Sequence, residues 1–162
     1  MVDVFVGIGS NLGDRRSHVR LAERALGAIS QSGKLELSPI YETDPVGPEP
    51  QGKYLNAVAR FQTVLEPSRL LDALQTIEHS AGRAAPACRA KWRPRTLDLD
   101  VLLYGDRVID HGPLVVPHPM MHRRWFVLKP LVDLDPHVVH PRLGVTVGQL
   151  LAGLEPRPDG AL

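Results

Sequence analysis

The chain has 162 residues, enough for one domain with a real core, and its 19 Lys plus Arg against 18 Asp plus Glu give a net charge of +1. A balance so close to neutral excludes a polyelectrolyte surface for nucleic acid or an acidic membrane, so any charge-driven function must be local. The lone cysteine, Cys88, excludes an internal disulfide and a cysteine-rich zinc site, and no apolar run has the length of a membrane span or a secretory signal; the expectation is a soluble cytoplasmic protein, one domain over residues 1–162.

Residues 2–9 are apolar and β-branched, which predicts a strand; "GSNLGD" then breaks the run. In the stretch that follows, Val19, Leu21, Ala22, Ala25, Leu26 and Ile29 recur at helical spacing. "LELSPIYE" (35–42) and "YLNAVARFQTVL" (54–65) alternate and predict two more strands. After Pro67, Leu70, Leu71, Leu74 and Ile77 mark a second helix, with Ser68 as its start signal and Gly82 as its stop. "RTLDLDVLLYG" (95–105) predicts the next strand, so the order is β, α, β, β, α, β: an α+β, ferredoxin-like core with helices on one face of an antiparallel sheet. The remainder predicts a short strand near Arg107–Ile109, a helix near Arg124–Asp133 and a short helix after Thr146, as a C-terminal extension.

Two aspartates interrupt the last core strand. Alternation predicts Leu97, Leu99, Val101 and Leu103 on one face, with Thr96, Asp98, Asp100, Leu102 and Tyr104 on the other. Like charges two residues apart on one face repel unless water or a cation intervenes. Two readings stay open: solvated acids on a polar face, or a hard-metal site for Mg²⁺, which binds through one or two carboxylates and substrate phosphates. The segment before this strand, residues 82–95, holds Arg83, Arg89, Lys91, Arg93 and Arg95 and no acid, the usual equipment for phosphoryl groups. With so many like charges and little apolar content it is expected to gain order from a bound triphosphate, as a lid. "GSNLGD" lacks the spacing of a Walker A or a dinucleotide loop and is read as a turn and helix cap.

Several strings in order resemble the 6-hydroxymethyl-7,8-dihydropterin pyrophosphokinase family: the Gly9–Gly13 turn, Y-x-T-x-P-x-G at Tyr41–Gly47, "YLN" at 54–56, W-x-P-R-x-L-D-L-D at Trp92–Asp100, V-P-H at 116–118, then Arg124 and Phe126. The resemblance implies transfer of the terminal diphosphate of ATP to the hydroxymethyl oxygen of a reduced pterin, with two Mg²⁺ ions held by Asp98 and Asp100. By motif position, Arg83 and Arg95 would contact phosphates, and Leu71, Gln75, Trp92, Val101, His118 and Arg124 would serve the nucleotide. The pterin would meet Thr43, Asp44, Pro45, Val46, Tyr54, Asn56, Trp92, Asp98 and Phe126, which supply stacking faces and an edge-reading amide. The expected partners are these small molecules alone, with no nucleic acid or membrane, and the chain is expected to be a monomer. Arg93 stands where the family has a small residue, which leaves open which of Arg89, Lys91 and Arg93 meets phosphate. An RNA-binding module of the same strand order would need aromatics on its central strands, where this chain offers acids. A zinc phosphodiesterase would need clustered histidines, and His118 and His122 flank Pro119.

Overall fold

A computed structural model describes residues 1–45, 47–48, 50–82 and 96–154. Val46, Arg83, Arg89, Lys91, Trp92, Arg93 and Arg95, and with them the expected lid, lie outside the described residues. The elements are β1 (Val2–Ser10), α1 (Arg15–Ile29), β2 (Leu35–Leu37), β3 (Tyr41–Thr43), β4 (Tyr54–Thr63), α2 (Pro67–Ser80), β5 (Asp98–Tyr104), β6 (Ile109–His111), β7 (Leu114–Val116), α3 (Trp125–Leu134) and α4 (Val147–Ala152). The main sheet runs β2-β4-β1-β5, all antiparallel, with β3 also paired to β4; this is the ferredoxin-like order, with β1 and β4 central.

Two apolar layers follow from strand alternation. Val4, Val6 and Ile8 of β1, the odd-numbered Leu55–Phe61 of β4, and Leu99 and Val101 of β5 face α1 and α2, whose buried stripes are Val19, Ala22 and Leu26, and Leu70, Leu74 and Ile77. Each fully buried leucine in these stripes contributes about 1.5–3 kcal/mol. On the opposite face Phe5, Val58, Leu102 and Leu103 pack against Val127, Leu128 and Leu131 of α3 and Val147 of α4. The C-terminal extension therefore covers the sheet face that the two core helices leave bare, but only at one end. The two core helices share one face as expected, and the extension adds a layer on the other.

Local departures have physical causes. The single strand expected at 35–42 is split, because Pro39 has no N–H; at the break Ser38 bonds Val58 through its backbone N–H, while its hydroxyl accepts the Val58 N–H at 2.8 Å. α2 begins at Pro67, one residue ahead of the expected Ser68, since a missing N–H is harmless at a first helical position. The strand expected at Arg107–Ile109 is displaced to Ile109–His111, the first arm of a hairpin with β7 around Gly112, whose φ of 59° suits glycine. A register shift between Phe5 and Val6 also breaks the alternation of β5: Phe5 pairs with Leu103 and Val6 with Val101. Leu102 and Leu103 thus both join the α3 side and Tyr104 joins the α1–α2 side, contrary to the faces predicted for Leu103 and Tyr104. Asp98 and Asp100 precede the shift and keep their common face.

Candidate active site

Gly9 sits on the central strand between Asn56 of β4 and Asp98 of β5, and Gly7 sits between Val58 and Asp100. Both glycines point to the face that α3 only half covers. The uncovered half forms a cleft of about 270 Å³, lined by Gly7, Gly9, Thr43, Asp44, Tyr54, Asn56, Val58, Asp98, Asp100, Leu102, His118, Arg124, Phe126 and Val127. A Cβ built on Gly9 would lie 3.7 Å from Asn56 Oδ1 and from the Tyr54 ring, and 4.0 Å from Asp98 Cβ. The floor is therefore bare backbone, and any residue larger than glycine would fill the space that Tyr54, Asn56 and Asp98 surround.

One wall is the β3–β4 pair. Thr43 pairs with Tyr54 and Tyr41 with Asn56 in register. The buried Asn56 amide donates to Thr43 Oγ1 at 2.6 Å, which fixes the amide and turns Oδ1 toward Gly9. The opposite wall is the first turn of α3 with Phe126 and Val127; Arg124, just before the helix, lays its guanidinium 5.7 Å from the Phe126 ring centroid. An aromatic on each wall with a fixed amide between them suits a flat heterocycle whose edge offers N–H groups.

The third side is charged. Asp98 and Asp100 stand about 6.6 Å apart by strand rise on β5, which is the edge strand of the sheet and not a central one as the sequence suggested. Between them, the Leu99 N–H faces away from β1 and donates to the buried Glu78 carboxylate of α2 at 2.8 Å. That bond ties the Asp-x-Asp backbone to a core helix. His118, whose backbone N–H donates to the Leu102 carbonyl, closes the far end. Burial, reinforced by the neighbouring Arg124 charge and opposed by Asp98, lowers its pKa to about 4. The imidazole is neutral near pH 7, and since Nδ1 accepts the Met120 N–H at 3.2 Å, the proton resides on Nε2.

Of the residues expected from sequence, Thr43, Asp44, Tyr54, Asn56, Asp98, Asp100, His118, Arg124 and Phe126 come together around this cleft, and Pro45 adjoins it in chain. Leu71, Gln75 and Val101 do not line it: Leu71 and Val101 pack in the layer on the opposite sheet face, and Gln75 is on α2. Gly9, expected in a turn, belongs to β1, while Asp14 does cap α1 by accepting the Ser17 N–H. Gly7 and Glu78 were missed. The G-x-G alternation at 7 and 9 inside an apolar strand was a readable signal for the first; nothing local marks the second, whose partner is 21 residues away.

The donors suit a hard divalent ion that keeps water. Among the described residues no three His, Cys, Asp or Glu side chains group to hold a metal ion, so Asp98 and Asp100 would leave most coordination positions to water or substrate oxygens. No helix among the described residues is long and apolar enough to cross a membrane.

The sequence pattern of the 7,8-dihydro-6-hydroxymethylpterin-pyrophosphokinase (HPPK) family matches residues 5–136. The chain is 44% identical over 138 residues to the 2-amino-4-hydroxy-6-hydroxymethyldihydropteridine pyrophosphokinase of Pseudomonas aeruginosa, covering 85% of this chain and 83% of that one. It is 42% identical over 130 residues to the enzyme of the same name from Bacillus subtilis, covering 80% and 76%. Among solved structures, a Plasmodium falciparum HPPK-DHPS with pterin and p-hydrobenzoate superposes with a TM-score of 0.67 at 16% identity, over 93% of this chain and 44% of that chain, which shows the shared fold. The cleft at the open end of the sheet and the match over most of the chain lead to one conclusion: the protein belongs to the 7,8-dihydro-6-hydroxymethylpterin-pyrophosphokinase family.

Proposed function

We propose that this chain transfers the terminal diphosphate of ATP to the hydroxymethyl group of 6-hydroxymethyl-7,8-dihydropterin. The hydroxymethyl oxygen bonds to the β-phosphorus, the bond from that phosphorus to the α,β-bridging oxygen breaks, AMP leaves with that oxygen, and the hydroxyl proton is released. The observation that supports this most is the row Asn56–Gly9–Asp98, which sets an edge-reading amide and a carboxylate on opposite sides of a bare floor. The strands are about 4.8 Å apart, so the row is about 10 Å wide, enough for a heterocycle whose substituent reaches the acid.

In this reading Tyr54 and Phe126 stack on the ring, Asn56 accepts from its edge, Thr43, Asp44 and Pro45 bound it with Asp98, and Val46 is assigned from motif position alone. Two Mg²⁺ ions held by Asp98 and Asp100 would neutralise and align the phosphates. Neutral His118 donates a hydrogen bond from Nε2 and Arg124 supplies charge, both toward the nucleotide. Because β5 is the edge strand, a nucleotide crossing it would reach Leu71, Gln75 and Val101 on the α2 side. Arg83, Trp92 and Arg95 are assigned from motif position alone. Rate then comes from positioning and charge, with no covalent enzyme intermediate.

The test is AMP release from Mg-ATP and the reduced pterin alcohol. AMP should form only with both present, and Asp100→Asn should lower kcat at least about 100-fold with its fold intact. AMP formed from ATP alone at the same rate, or a wild-type rate in the variant, would overturn the reading.

A further inference from the structure

Tyr41 opens the Y-x-T-x-P-x-G motif yet does not line the cleft. It reaches out instead to three residues of α3. Its hydroxyl donates to Asp133 Oδ2, its ring meets Trp125 edge-on at 5.5 Å and 90°, and Lys129 Nζ lies 5.7 Å from its ring centroid. Lys129 in turn pairs with Asp133 Oδ1. Trp125, Lys129 and Asp133 follow at i, i+4 and i+8, so they form one stripe along the helix, and Tyr41 spans it.

We propose that Tyr41, with this stripe, is a positioning device that sets the distance between the two aromatic walls of the cleft. The inference rests on the pterin-binding reading above. Tyr41 is the cross-strand partner of Asn56 and lies two residues before Thr43; Trp125 is followed directly by Phe126. The clamp thus joins the backbone of the amide wall to the helix turn that presents the opposing ring. Leu128 and Leu131 pack among Phe5 and Val58 through apolar, non-directional contacts, and an ion pair at 3.8 Å joins Arg60 of β4 to Asp135 just past the helix; these hold the helix down but resist sliding and rolling only weakly. A hydrogen bond from a phenol to a carboxylate is directional and resists both motions. Burial and the Asp133 carboxylate hold the Tyr41 phenol above its usual value, and the Asp133 bond holds the Lys129 ammonium up, so donor and charge persist at neutral pH.

Tyr41→Phe removes the donated bond but keeps the ring against Trp125. The Kd of 6-hydroxymethylpterin by calorimetry should rise about fivefold, as should its KM, with kcat nearly unchanged and the Kd of a non-hydrolysable Mg-ATP analogue unaltered. Asp133→Ala should do the same, and the double variant no more. Tyr41→Leu should weaken pterin binding further. A purely structural contact would lower the melting temperature in all four variants with no change in pterin Kd, and that result would overturn the proposal. Hydrogen exchange gives a readout free of ligand: amides 125–128 should exchange faster in Tyr41→Phe, and unchanged exchange would also overturn the clamp. Failure of the wild type to bind pterin at all would instead refute the functional reading, leaving the exchange result to judge the clamp.

Discussion

Lowering the pH from 7 to 4.5 should destabilise the free protein by about 2 kcal/mol through His118 alone, a loss that a variant lacking the imidazole escapes. The folded protein lowers the pKa of His118 from 6.5 to about 4, chiefly because burial disfavours the charged ring, with Arg124 adding repulsion. Between those two values the unfolded chain binds a proton that the folded chain does not. Stability from this residue is therefore fully present above about pH 6.5, falls as the pH drops toward 4, and levels off below. At about 1.4 kcal/mol per pH unit the whole span is about 3 kcal/mol, of which pH 4.5 realises about 2. Protonation also removes the Nδ1 acceptor of the Met120 amide, which acts in the same direction. The assay is urea unfolding of wild type and His118→Asn at several pH values without ligands, read as the difference between the two proteins. Asn retains a side-chain acceptor for the Met120 amide. His140, whose pKa is lowered by burial and then by His122, titrates alike in both and drops out of the difference. A difference that does not vary with pH, or a wild type that gains on the variant as the pH falls, would refute the reasoning.

Two further outcomes concern the floor of the cleft and its support. Gly9→Ala should leave stability unchanged or raise it by about 0.5–1 kcal/mol, since its Cβ meets only ordinary contacts at 3.7 Å; the pterin Kd should nevertheless rise at least about tenfold, measured by calorimetry. Glu78→Ala strands the Leu99 N–H beside the two aspartates and should cost about 2–3 kcal/mol in urea unfolding and lower kcat, whereas Glu78→Gln keeps an acceptor and should lose less on both counts; equal losses in the two variants would count against the hydrogen bond as the cause.

Residue order and spacing alone marked the helices and strands of the core, apart from the break at Pro39 that divides β2 from β3, because helix and strand periods are local properties of the chain. They also determined that Asp98 and Asp100 share a face, since residues two apart on a strand with no register shift between them point the same way. The short strings around Tyr54, Asn56, His118 and Phe126 were enough to single out most of the side chains that meet in the cleft. Tertiary structure decided what depends on pairs distant in sequence. Which strand flanks which placed Gly9 between Asn56 and Asp98 and made the floor of the site from three separate segments. The register shift opposite Phe5 sent Leu103 and Tyr104 to faces that strict alternation denies them, because an extra residue in a strand is visible only against its partner. Nothing in the spacing of α2 announces that Glu78 will meet Leu99, or in that of β3 that Tyr41 will reach Asp133 across 92 residues. The cleft itself is an effect of coverage: α3 packs on one end of the sheet and leaves the glycine end bare, which only the docking of the C-terminal helices onto that face could decide.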